Sequence, residues 1–105
     1  MRTKSLDVSY DKRMKLVATN YSYCLFKKRF TTSKEEDEIC TLYIARVNKA
    51  LESLDNVQKY FLNNSYFNNK DKFWWVPLYS KTTYYRIRND ALKVFLTTFE
   101  CLAKH

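Results

Sequence analysis

The chain of 105 residues contains no glycine and one proline, Pro77. Glycine supplies the positive φ of tight hairpin turns and the bare backbone of phosphate-binding loops. Its absence removes most routes to a β-rich fold or a nucleotide-binding loop and favours an all-α chain. The one histidine is His105, and the three cysteines are Cys24, Cys40 and Cys101. An odd number of cysteines without paired spacing, and no histidine among them, argues against a zinc site and against a disulfide framework. Free, buried thiols suit a reducing cytosol, so a cytoplasmic location is expected. No apolar run approaches the ~20 residues of a membrane span. The opening Met1-Arg-Thr-Lys-Ser-Leu-Asp7 lacks the apolar stretch of a signal peptide. No serine or cysteine has an evident activating base, so the sequence predicts a protein that is not an enzyme, with no metal and no cofactor.

Aromatic residues and positive charge are abundant. Hydrophobic residues make up 46% of the chain and aromatics 17%, enough to fill one core, so a single domain over residues 1–105 is expected. The net charge is +8 and unevenly spread. Residues 1–30 carry eight basic and two acidic side chains, and residues 66–105 carry seven and three. Between them, residues 31–65 carry four and six. Basic ends around an acidic middle favour an anionic partner. A merely solvated basic surface has the same totals.

Helical spacing accounts for most of the chain. Leu6, Tyr10, Met14, Val17, Tyr21 and Leu25 recur every three or four residues, which predicts a helix over 6–29 with Ser5 as its N-cap. Lys27, Lys28 and Arg29 fall in its last turn, where they either complement the helix dipole or meet phosphates. Thr31-Thr32-Ser33 breaks the pattern. Ser33 followed by Glu36 reads as a capping box. Glu35, Glu36, Asp37 and Glu38 then belong to the start of a helix rather than to a metal site. That helix continues through Ile39, Tyr43, Val47, Ala50 and Leu54. Asp55 can cap a short helix carrying Val57, Tyr60 and Phe61. Asn63 to Asp71, rich in asparagine, reads as a loop. Of Phe73, Trp74 and Trp75, at least two are expected to close the core, although all three are also suited to stacking on single-stranded bases.

The last helix is expected to run from Lys81 to about Ala103, with Ser80 as its cap. Tyr84, Ile87, Ala91, Phe95 and Phe99 form its apolar stripe, expected to bury against Leu42 or Tyr43, Val47 and Leu51. Lys81, Thr82, Tyr85, Arg86 and Asn89 fall on a different side. Such side chains can reach phosphates and base edges in a DNA groove. The tail beyond Asn89 can pack on the first helix or form a homodimer seam.

The run from Ser80 to Phe95 resembles the recognition helix of sigma-factor region 4, and still more the C-terminal end of ArpU-type transcription regulators. The matching positions are Ser80, Tyr84, Ile87, Ala91 and Leu92. The segment Ala50 to Leu62 resembles the helix placed before the motif, so the likeness covers residues 50–96. It implies base-reading roles for Lys81, Thr82, Tyr85 and Arg86, and a phosphate contact for Arg88. The sigma-like side of the likeness implies RNA polymerase as a partner. The chain also resembles short proteins of minimal-genome bacteria, which implies nothing further about function.

The expectation is therefore an all-α, compact bundle of about five helices, with a helix-turn-helix-like element at residues 72–95. The expected function is double-stranded DNA binding, as a transcriptional regulator or sigma-like factor. Two alternatives stay open. One is a protein-interaction module on the same fold. The other is a single-strand or RNA binder using Trp74, Trp75 and Tyr85.

Overall fold

The computed structural model describes residues 2–68 and 71–103, with side chains from Ser9 onward. The described residues form four α-helices: α1 (Arg2–Phe30), α2 (Lys34–Glu52), α3 (Asn56–Leu62) and α4 (Lys81–Ala103). A π-helical segment, Asn63–Phe67, extends α3. No strand occurs among them. The all-α expectation holds, with four α-helices in place of about five. At 1.5 Å per residue, the 29 residues of α1 span ~43 Å. That length sets the longest dimension of a body measuring 47 × 29 × 25 Å.

α1 begins at Arg2, so Ser5 lies inside the helix and is not its cap. Nothing in Arg2-Thr3-Lys4 breaks a helix, and the helix runs on upstream. Leu6 lies outside the residues whose side chains are described. From Tyr10 to Tyr21 the expected stripe is correct, with Met14 and Val17 buried. It then shifts: Cys24 is buried and Leu25 is 44% exposed. α2 shows the same exchange, with Cys40 buried and Ile39 66% exposed. The far end of the α1–α2 hairpin closes on two small thiols, and the larger Leu25 and Ile39 point out.

Caps set the breaks. Ser33 caps α2, its Oγ accepting from the Glu36 N–H at 3.3 Å. The reciprocal half of the expected capping box is not made. The Ser33 N–H donates instead to Thr31 Oγ1 at 3.1 Å, and the Glu36 carboxylate accepts from Lys27 and Thr31. Asp55 caps α3 with both halves of a capping box, shared with Gln58.

The expected loop at 63–71 is overturned for residues 63–67. Tyr66 and Phe67 pack against the core, and Asn64 is buried. The Asn68 N–H donates to the Asn63 carbonyl at 2.8 Å, five residues back. Two aromatic anchors hold the backbone in a wide turn where composition alone suggests a loop. Asn69 and Lys70 lie outside the described residues. Residues 72–78 are successive turns, closed by bonds such as Trp74 N–H to Asp71 O and Val76 N–H to Phe73 O. Pro77 has no N–H to extend them. No regular helix forms between residues 72 and 79, so the first half of the element expected at 72–95 is a run of turns.

The core joins Met14 and Val17 of α1, Val47 and Ala50 of α2, Leu62 of α3, and Ala91, Leu92, Phe95, Leu96 and Phe99 of α4. Tyr43, rather than the exposed Leu42, meets Phe99 edge-on at 5.6 Å. Arg46 lies over the Phe99 ring at 3.5 Å and donates to its carbonyl at 2.7 Å. Arg13 pairs with Glu100, so the end of α4 docks on α1.

Candidate nucleic-acid interface

Ser80 starts α4: its Oγ accepts from the Thr83 N–H at 3.2 Å, and its carbonyl from the Tyr84 N–H at 2.8 Å. One turn on, Tyr84 clamps the helix to the body. Its ring stacks on Trp75 at 4.1 Å and lies 5.1 Å from Phe61. With Tyr84 and Ile87 turned inward and half-buried, Lys81, Thr82, Tyr85 and Arg86 are all exposed. Four of the five residues singled out for DNA contact thus share the outer side of the first turns of α4.

Arg88, the fifth, departs from that row. It is half-buried, its guanidinium lies 4.9 Å from the Tyr85 ring, and its Nε is buried without a hydrogen-bond partner. It lines a cavity of about 250 Å³ between α4, α1, the π-segment and the turns at 72–75. On the α1 side, Asp11 accepts from Tyr66 Oη at 2.7 Å and pairs with Lys15 at 2.9 Å. Burial disfavours the Asp11 carboxylate, but Tyr66, Lys15 and Arg88 outweigh it, and its pKa falls below the ordinary value. Burial, reinforced by Asp11, pushes the Tyr66 phenol well above its ordinary range. Burial also raises Tyr84, with Arg88 acting against it.

The basic cluster Lys27, Lys28 and Arg29 sits at the α1–α2 turn, on elements other than α4. Lys27 pairs with Glu36 at 3.0 Å and Lys28 with Asp37 at 3.5 Å. The hydrogen bond raises the Lys27 pKa and lowers that of Glu36. Lys28 also reaches the Thr41 hydroxyl. Only Arg29 of the three is exposed without an ion pair among the described side chains.

The tryptophans are half-buried, as expected for two of the three aromatics, while Phe73 is 57% exposed. Trp74 packs edge-on to Tyr60 and Phe61, and Trp75 donates its Nε1–H to the Lys72 carbonyl. Their rings are already engaged, which leaves Tyr85 as the exposed member of the proposed stacking trio.

The polar cavity was not anticipated from the sequence. Its one readable signal is Asp11, a carboxylate in a basic helix, four residues before Lys15. Its other walls come from segments distant in the chain. Among the described residues no group of three histidine, cysteine, aspartate or glutamate side chains is placed to hold a metal, and no helix is long and apolar enough to cross a membrane. No family model matches this sequence, and no curated protein or solved structure matches it.

Proposed function

We propose that this chain binds double-stranded DNA through the exposed side of the first two turns of α4, as a transcriptional regulator or sigma-like factor. The observation that carries this reading is the placement of Lys81, Thr82, Tyr85 and Arg86 together on a helix capped by Ser80 and clamped by Tyr84. Arg86 is suited to two hydrogen bonds with a guanine, Thr82 to a hydroxyl or methyl contact, and Lys81 to a phosphate. Tyr85 is long enough to lie along the sugar-phosphate backbone. The net charge of +8 supplies the attraction that precedes specific contact. α3, packed against the start of α4, is the support in place of a helix at 72–79.

Fluorescence anisotropy with random duplex, selected duplex and single-stranded DNA tests the proposal. Wild type should bind duplex at low salt. Arg86→Ala loses ~1–3 kcal/mol on the selected site and less on random DNA. Equal losses on both would remove the base-reading role of Arg86.

A second reading has its own support. Phe26, Phe30, Ile39 and Leu42 are exposed around the α1–α2 hairpin, and Phe26 and Phe30 lie 4.8 Å apart. These apolar side chains suit a protein-interaction module. Failure of wild type to bind duplex DNA at low salt would put this reading first.

A further inference from the structure

The cavity between α1, the π-segment and α4 has more donor capacity than the protein uses. Asp11, its carboxylate, is already engaged by Lys15 at 2.9 Å and by Tyr66 at 2.7 Å. Lys72 and Arg88 also line the cavity, and neither is paired with a carboxylate among the described side chains. Two further polar atoms are buried there without partners, Arg88 Nε and Ser65 Oγ. Asn64, beside Ser65, is 6% exposed and also lines the wall. Buried polar groups are ordinarily satisfied, so orphans gathered at one cavity call for an explanation.

The backbone supplies an independent observation. Asn64, Ser65 and Tyr66 reach the cavity from a π-helical segment. Such segments are rare, and they occur frequently at functional sites. Here three consecutive polar side chains of that segment line the cavity.

We infer that this cavity binds the dianionic phosphate group of a small molecule, held by Arg88 and Lys72 with Asn64 and Ser65 as neutral donors. Two cations with no carboxylate partner among the described side chains match a dianion. A guanidinium, an ammonium, an amide and a hydroxyl together offer more donors than a carboxylate can accept, and three phosphate oxygens can use them. The volume of about 250 Å³ lies below the usual span for drug-sized ligands, which limits the occupant to a small molecule. Trp74 and Tyr84 form the wall for its organic part. This site does not depend on DNA binding.

Isothermal titration of the full chain tests it, using inorganic phosphate and glycerol 3-phosphate, with glycerol and matched sodium chloride as controls. Wild type should bind at least one phosphate probe saturably, with a dissociation constant below about 1 mM. Arg88→Met and Lys72→Ala should each weaken binding about tenfold or more, the loss of one charge-assisted contact. Lys93→Ala, an exposed change on α4 that is not at the cavity, should bind as wild type does. Lys72 is exposed on the turns, so its variant is informative even if Arg88→Met fails to fold. Tighter binding of glycerol 3-phosphate supports a monoester as the ligand, and tighter binding of inorganic phosphate supports the free ion. No saturable heat up to 10 mM ligand, roughly ten times the expected constant, would overturn the inference. So would unchanged affinity in Lys72→Ala, or an equal loss in Lys93→Ala.

Discussion

Asp11 and Tyr66 show how two polar side chains can be placed inside a small helical body. The phenol donates to the carboxylate, and each shifts the other's titration in the direction that preserves the bond. Asp11 has a folded pKa below its ordinary 3.8, so its contribution is present above that value and is lost as pH falls through the folded pKa. Tyr66 is raised above its ordinary 10.0, so its contribution is present below pH 10 and declines as pH rises beyond it. Tyr66→Phe keeps the ring and removes the hydroxyl. It should cost about 1.5–3 kcal/mol at neutral pH, as for a hydrogen bond to a charged group. Urea unfolding of both proteins across pH checks this: their difference should shrink at strongly acid pH and again above pH 10. A difference that ignores pH would show that the bond is not what stabilises the pair. Two other residues have simpler expectations. Phe95, fully buried, should cost roughly 3–5 kcal/mol when cut to alanine. Ser80→Ala should cost about 1 kcal/mol through loss of the cap, seen as a lower urea midpoint with unchanged slope.

At the scale of elements, the chain was most legible where the physics is local. Ser33, Asp55 and Ser80 each cap the helix assigned to them, because capping needs only a side-chain oxygen and the next few N–H groups. The inward row of α4 was legible from its spacing: Ala91, Phe95 and Phe99 recur every four residues and all join the core, while Tyr84 and Ile87 nearer its start are half-buried. α1 was harder because its partners change along its length. Near Arg13 it meets α4, and near Lys28 it meets the first two turns of α2. A period of 3.6 accommodates steps of three and of four equally, so periodicity could not choose Cys24 over Leu25. The π-segment was illegible because its cause is tertiary, with Tyr66 bound to Asp11 and Phe67 packed edge-on to Tyr21 at 5.4 Å. The cavity inherits that illegibility, since one of its walls is this segment. The thiol seam makes a prediction of its own. Burial and the neighbouring Cys40 push the Cys24 thiol up to about 11, whereas Cys101 is exposed. The thiolate is the reacting form, so alkylation of the native protein at pH 8 should modify Cys101 first and leave Cys24 and Cys40 until the hairpin opens. Peptide mapping of a time course reads this directly, and early labelling at Cys24 would mean that the α1–α2 seam is open in solution.

At the scale of the whole molecule, the count of 19 basic side chains overstates what is free to meet a polyanion. Lys27 and Lys28 are tied to Glu36 and Asp37, Lys15 to Asp11, Arg13 to Glu100, and Arg46 lies against Phe99. Lys81 and Arg86 are the exposed cations that share the proposed DNA face. The footprint is therefore small: Lys81 and Arg86, with one neighbouring cation if it joins them, displace about two to three counterions, and each contributes about −0.9 to the log–log salt slope. Duplex affinity should accordingly fall with a slope of about −2 to −3. Lys81→Ala should flatten it by about one. Replacing Lys27 and Lys28 together should leave it unchanged, because forming new phosphate contacts there would first require breaking two ion pairs. Arg88→Ala should also leave it unchanged, since that side chain serves the cavity. Anisotropy titrations of the three variants between 50 and 200 mM salt, roughly the range over which counterion release is measured, decide among these surfaces. A flattened slope in the Lys27–Lys28 variant would move the DNA footprint to the hairpin end. A flattened slope in Arg88→Ala would return that residue to the DNA-binding row of α4.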